Sequence, residues 1–364
     1  MTQNRDITQQ LQLLRVGYVP YSDSLESPGD RRRFGYYARK RGIKFEIADP
    51  DKKYDLVVLC ARADIGVWSQ YPDAKLVYDL IDSYLAIPRS SIKGQLRGLF
   101  KFLSGQSRYL QLDYWKSVSN MCARADAVVC STLEQQNDIL RFCQNVHMIL
   151  DAQMDVVRIG KTDYSAGSTF RIVWEGLPYT LGSLALMRPV LEKLRLKFPV
   201  EMHVVTDREY WRYMARYGKV NTVEEAKRIL PGVVFHEWNE SDCADIICSC
   251  DLAVIPLALD DPFSAGKPEN KLLLFWRMGM PAVTSASPAY LRAMHAAGMD
   301  FAIKDEVSWV SKIERLAGSQ DARREAGELG KAYADREFSE ASLLARWDAV
   351  FASVGFTFND SRSI

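Results

Sequence analysis

The chain has 364 residues, 48% hydrophobic and 26% charged, with a formal net charge of +1. That length and apolar content suit a folded protein of two ordinary domains or one large one, and the near-neutral balance carries no nucleic-acid signature. The seven cysteines form no CxxC pair and mostly lie in apolar runs, which argues against a disulfide framework or a zinc site and predicts buried free thiols in a reducing compartment.

The N-terminus, Met1-Thr2-Gln3-Asn4-Arg5-Asp6, has no apolar signal core, and no apolar run reaches membrane-spanning length. A cytoplasmic protein, at most touching a membrane surface, is expected. Residues 13–19 read as a short buried strand. A loop rich in Ser, Pro, Gly and Asp follows over 21–30, then a helix from Arg31 to Arg41 stopped by Gly42. Asp30 is expected to cap that helix. Gly29, Arg31 and Arg33 make the junction a candidate loop for an acceptor or phosphate. The alternative is that the arginines are solvated first-turn residues. Cations in a first helical turn oppose the dipole, so their placement asks for another reason.

Residues 43–47, 56–60, 75–78, 127–130 and 146–150 read as further strands, near-continuous in Val, Ile and Leu. Separated by helical segments, they predict a parallel sheet covered on both faces. Thr132 with Gln135 has the capping-box pattern. Asp79 and Asp82 follow the fourth strand, where a carboxylate can orient or deprotonate an acceptor hydroxyl. Asp82 is the catalytic candidate, with Asp79 assigned to capping backbone. Residues 92–114 form a basic amphipathic stretch. Lys93, Arg97 and Lys101 recur every four residues, and Leu96, Leu99, Phe100 and Leu103 share the other side. Such a face suits an anionic lipid surface, or equally a helix packed on its own domain.

Residues 151–168 are the weakest for packing and read as a linker. The pattern then restarts, with strands at 170–174, 201–206, 233–236, 251–257, 282–285 and 301–303. Helices are expected at 184–196, after 236 through Cys248, at 269–278 before Gly279, at 288–297, and on to Phe351. The fold class is therefore α/β, with two doubly wound, Rossmann-like domains in tandem facing a cleft. The boundaries are 1–160, 161–335, and 336–364 for a C-terminal helix, which can cross back to the first domain, and a tail. Ligands of such sheets bind outside the carboxyl ends of the strands.

Residues 260–274, DDPFSAGKPENKLLL, carry the most chemistry. They follow a buried strand, form a loop through their Gly and Pro, and open a helix near Glu269. The first-turn amides of a helix make an anion site. Lys267 and Lys271 lie four apart across the same turn, and two cations beside a helix N-terminus suit a diphosphate. Solvated surface lysines are the plain alternative.

Several segments in order resemble one family: Ile172-Val173-Trp174-Glu175-Gly176, Val233 to Trp238, Asp251 to Leu257, Gly266-Lys267, Asn270-Lys271-Leu272-Leu273 and Gly279 to Val283. From Arg171 to Trp347 the chain resembles the retaining GT-B glycosyltransferases of group 1, or family 4. The first half resembles that family only in layout. The resemblance implies a nucleotide-sugar donor in the second domain and a glycan or lipid-linked acceptor in the first, as in bacterial surface polysaccharide synthesis. It implies that Lys267, Lys271 and the amides near Asn270 hold the diphosphate. It also implies that main chain around His236 to Trp238 reads the base, and that Gly176 borders the donor. The acidic residue expected on the loop that meets the donor sugar falls to Asp260 or Asp261. The glutamate expected to take the ribose falls on Leu274, and Glu269 can take that role from a shifted position. The basic residues usual after the first strand of the second domain are replaced by Leu177-Pro178-Tyr179-Thr180. The scheme needs no cofactor and no metal. Asp49-Pro50-Asp51 has the spacing of a metal-binding triplet but lies in a polar loop. An epimerase acting on a nucleotide sugar and a non-catalytic binding protein are the rival readings.

Overall fold

The structure is a computed structural model that describes residues 14–88, 92–103, 105–211 and 218–358, with backbone alone for residues 92–97. It divides into two compact units. Unit 1 comprises Met1–Ala152 with Glu340–Ile364, and unit 2 comprises Gln153–Ser339.

Unit 1 is built on β1 (Val16–Val19), β2 (Glu46–Ile47), β3 (Leu56–Cys60), β4 (Lys75–Asp79), β5 (Ala127–Cys130) and β6 (Val146–Met148). They form one sheet in the order β2-β1-β3-β4-β5-β6, parallel throughout. Every residue of β3 and β5 is buried, as the unbroken apolar runs require of strands covered on both faces. The C-terminal helix Glu340–Ser353 packs on this unit. Trp347 and Phe351 stack on Tyr37 at ring distances of 5.8 and 5.2 Å. Polar contacts guide it: Asp348 accepts from Tyr37 at 2.8 Å, and Glu340 pairs with Lys40 at 2.7 Å and accepts from Tyr36.

Unit 2 is built on β7 (Phe170–Glu175), β8 (Val200–Thr206), β11 (Val234–Glu237), β12 (Leu252–Ile255), β13 (Ala282–Ser285) and β14 (Ala302–Ile303). Their order is β11-β8-β7-β12-β13-β14, again parallel. That is a doubly wound arrangement, in which the strand order reverses beside β7 and ligands gather at the carboxyl edge. An antiparallel hairpin, β9 (Glu209–Trp211) and β10 (Lys219–Asn221), is inserted after β8.

The central helix of unit 2 is Asn270–Arg277, and Leu272 to Arg277 are all buried. Leu272, Leu273, Phe275 and Trp276 are fully covered, and each such side chain contributes about 1.5–3 kcal/mol on leaving water. Any side chain at Gly330 would collide with the Trp276 ring, so helix Gln320–Glu337 lies directly against it. Gly279, at φ 70°, ends the central helix in a left-handed turn, as Gly42 at φ 66° ends the helix Phe34–Arg41.

The structure departs from the sequence expectations in a few places. The expected helix from Arg31 to Arg41 is two helices, Pro28–Arg32 and Phe34–Arg41, broken at Arg33 (φ −122°, ψ −121°). The expected helix over 184–196 begins as a 3-10 turn, Pro178–Leu186, and becomes α-helical only over Met187–Arg195. The hairpin β9–β10 and the helix Thr222–Ile229 were not anticipated. All seven cysteines are free, six of them buried, and burial pushes the Cys60 and Cys122 thiols up to about 12.

Candidate functional site

At the carboxyl edge of the unit 2 sheet, β12 hands the chain through residues 256–269 to the central helix Asn270–Arg277. Its first-turn amides lack intrahelical acceptors and form the positive end of the dipole. Lys271 stands in that turn, and its ammonium lies 4.8 Å from the centre of the Trp174 ring. Gly176, just past β7, shares the spot. A methyl group there would overlap Lys271 Nζ and meet the Trp174 ring at 2.7 Å. Glycine at 176 thus lets the ammonium settle against the end of the strand. The structure brings Gly176, Asn270 and Lys271 together from segments almost a hundred residues apart. Lys267 sits on the preceding loop with its ammonium 4.5 Å from the Phe263 ring centre.

The other expected donor-side residues have more internal duties. Asp261 caps the short helix Pro262–Ala265, accepting from Ser264 N at 3.1 Å and Ser264 Oγ at 2.7 Å. Glu269 stands at the N-cap of the central helix without a side-chain capping bond and is largely buried. It lies near Tyr290, whose phenol is pushed up first by burial and then by the Glu269 charge. Leu274 is 2% exposed. A carboxylate at that position would have to leave water for the packed core. The imidazole of His236 stacks on His203, ring centres 5.1 Å apart, with His236 Nε2 2.9 Å from His203 Nδ1. Burial holds both below the usual histidine range, and for His203 the neighbouring ring adds to it. Trp238 N donates to Thr206 O at 2.9 Å, so this amide continues the sheet pairing and is not left for a base. Gln153, whose amide nitrogen donates to Asn270 O, was missed in the sequence because nothing local ties residue 153 to residue 270.

In unit 1 the structure corrects the reading of Arg33. Its side chain is fully buried and pairs with Asp79 through two bonds of 2.7 and 2.6 Å, with Asp151 at 3.0 Å and with Ile149 O at 3.1 Å. Burial opposes the guanidinium charge, but Asp79 more than offsets it and holds the group protonated. Arg33 is therefore spent inside the domain, and Asp79 is its ion-pair partner, not a backbone cap. Asp30 likewise does not cap. It is 2% exposed and fastens the loop, accepting from Tyr18 Oη at 2.8 Å, Tyr21 N at 2.7 Å and Ser22 N at 3.0 Å. A side chain at Gly29 would stand 2.5 Å from the Tyr21 ring, so this glycine serves packing. Arg31 Nε donates to Glu26 O at 3.0 Å. Asp82 remains at the carboxyl end of β4, partly exposed. Its carboxylate accepts from Tyr84 Oη at 3.3 Å, and its main-chain oxygen accepts from Gln135 at 3.1 Å.

The basic stretch also differs from expectation. Lys101 is buried, and its ammonium donates to Tyr114 Oη at 2.7 Å. The side chains of Lys93, Leu96 and Arg97 lie outside the described residues. Phe100, Phe102 and Leu103 are exposed, as are Tyr109, Leu110 and Leu112 on the following loop. Among the described residues, no helix is long and apolar enough to cross a membrane. No three His, Cys, Asp or Glu side chains among them are grouped to hold a metal ion.

No family model and no curated protein matches the sequence. Solved structures do match the fold. HepE of Anabaena, solved with UDP and glucose, superposes with a TM-score of 0.61 over 93% of this chain and 100% of that one, at 11% identity. WaaG, a glycosyltransferase involved in lipopolysaccharide biosynthesis, gives 0.55 over 94% and 100%, at 14% identity. TarM gives 0.56 over 81% of this chain at 12% identity, and the chain spans about half of TarM's length, 54%. The architecture, two parallel six-stranded α/β domains, is that of the GT-B glycosyltransferases.

Proposed function

We propose that the chain is a glycosyltransferase that moves a sugar from a nucleoside diphosphate sugar to a glycan or lipid-linked glycan. One observation carries the reading. The Lys271 ammonium, the Gly176 backbone and the first turn of the helix Asn270–Arg277 converge at the carboxyl edge of the unit 2 sheet. Breaking the glycosidic bond leaves charge on the departing diphosphate. In this reading Lys271, Lys267 and the first-turn amides stabilise that charge. The scheme needs no metal and retains stereochemistry, and Asp82 of unit 1 receives or orients the acceptor hydroxyl proton. HepE was solved with UDP and glucose, and WaaG is involved in lipopolysaccharide biosynthesis; both support a UDP-sugar donor and a surface-glycan acceptor as the proposal for this chain.

Contact with an anionic membrane belongs to the same reading. Residues 92–114 hold four cations (Lys93, Arg97, Lys101 and Arg108) and one acid, Asp113, a balance of +3, although Lys101 is turned inward onto Tyr114. Exposed Phe100, Leu103 and Leu112 accompany them. Apolar side chains flanked by cations suit the headgroup boundary, where a lipid-linked acceptor resides. The protein would then be cytoplasmic with peripheral attachment.

The buried Leu274 favours one rival, a binding protein without turnover, because no carboxylate stands there for a ribose. Incubation with a panel of nucleotide sugars decides between them. Nucleotide release that rises with added acceptor supports transfer. Binding without release under any acceptor supports the rival, and interconversion of donor sugars alone points to an epimerase.

A further inference from the structure

Seven of the eight tryptophans are buried or half-buried; Trp211 is 53% exposed. It stands on β9, which leaves the carboxyl end of β8 after two residues. That is the same edge of the sheet at which Gly176 and Lys271 meet.

The hairpin stem that carries Trp211 is tied to its surroundings at several points. Trp211 pairs in register with Lys219 of β10. The Lys219 ammonium lies 5.7 Å from the indole centre and forms an ion pair with Glu209 at 3.0 Å. Tyr210 Oη donates to Glu225 at 3.0 Å, tying the stem to the helix Thr222–Ile229. Arg208 Nε donates to Glu237 at 2.9 Å, tying its base to the end of β11. Asn221 ends β10 and caps that helix through Val223 N and Glu224 N.

An indole exposed on a tied support offers a large flat face to a ligand, and tryptophan is enriched at binding surfaces and their hot spots. The chemistry that fits is a pyranose ring. One face of such a ring presents several C–H groups to the electron-rich face of an indole, and its rim presents hydroxyls to a neighbouring charged group. Glu209 and Lys219 supply that neighbour.

We propose that Trp211 is a stacking platform for a sugar ring at the edge of the unit 2 site, with Lys219 and Glu209 meeting the ring hydroxyls. The ring belongs either to the donor sugar or to the acceptor glycan, and the stacking chemistry is common to both. This inference rests on the glycosyltransferase reading, and its test separates the two.

The experiment uses the full chain and two variants, Trp211→Ala and Trp211→Phe. Each is applied to a printed array of oligosaccharides and titrated with UDP-glucose and UDP. An acceptor ring predicts that the wild type retains one class of glycan, that Trp211→Ala loses at least tenfold of that retention, and that Trp211→Phe keeps most of it. A donor ring predicts that Trp211→Ala weakens UDP-glucose by a similar factor while leaving UDP unchanged. Either pattern supports the platform. Equal glycan retention and equal UDP-glucose binding in wild type and Trp211→Ala overturn it, as does the absence of any glycan retention together with unchanged UDP-glucose binding. Array retention needs no turnover. Retention that follows the indole in a protein without transfer would sink the transferase reading alone, and normal transfer with retention blind to the indole would sink the platform alone.

Discussion

The carboxyl edges of the two sheets carry similar sequence signals and use them differently. In unit 1 an arginine-rich helix start meets strand-end aspartates, and the charges are consumed: Arg33 is locked to Asp79 and Asp151, and Asp30 is locked to the loop before it. In unit 2 the lysines of the loop–helix junction lie over the faces of Trp174 and Phe263. An aromatic face holds an ammonium weakly, at about 0.5–1 kcal/mol at exposed sites, whereas a buried bidentate ion pair costs several times that to break. The arginine at the helix start of unit 1 therefore serves folding, whereas the unit 2 lysines are the ones proposed to meet the donor.

The comparison breaks most visibly at Arg33. Arg33→Ala leaves Asp79 buried without its partner and should cost about 3–5 kcal/mol of stability, read as a lower denaturant midpoint. An unchanged midpoint would mean that the pair is not structural. Lys271→Ala should instead leave the midpoint nearly intact and weaken binding of free UDP by roughly 10- to 100-fold, as loss of a charge-assisted contact of about 1.5–3 kcal/mol implies. Uridine binding should hardly change, and an equal loss for both ligands removes Lys271 from the diphosphate. Gly176→Ala is a milder version of that change. Its methyl group meets both the flexible end of Lys271 and the buried Trp174 ring, so UDP affinity should fall several-fold and the denaturant midpoint should drop measurably.

The smallest effect is expected where unit 1 holds its C-terminal helix. Hydrogen bonds from Lys40 and then Tyr36 keep the Glu340 carboxyl below its ordinary 4.5. Its folded value is depressed, so its contribution is present above pH 4.5 and is lost as pH falls through the folded value. Hydrogen exchange in the helix Glu340–Ser353 should quicken over that acid range in the wild type. In Glu340→Gln the pH-dependent part should vanish, and a persistent pH step in that variant would assign it to another group.

Much of the fold was legible because period and burial agree. The unbroken runs at 56–60 and 127–130 are fully buried strands, and Gly42 and Gly279 end their helices as read. Thr132 caps its helix, accepting from Gln135 N at 3.2 Å. The hairpin β9–β10 escaped because three-residue strands carry too little alternation to stand out from a charged, aromatic loop. Charge alone hid the fate of Arg33, since a sequence shows a cation but not the carboxylate 46 positions away that takes it. The resemblance put Gly176 beside the donor, but its closeness to Lys271 depends on the packing of a strand against a helix far along the chain. Spacing could not reveal that contact.

The most direct measurement is a crystal structure of the chain grown with UDP. The account predicts diphosphate oxygens within hydrogen-bonding distance of Lys271 Nζ and the main-chain amides at the start of the helix Asn270–Arg277, beside Gly176. UDP held elsewhere on the protein, or at that edge with its phosphates turned away from Lys271, would contradict it.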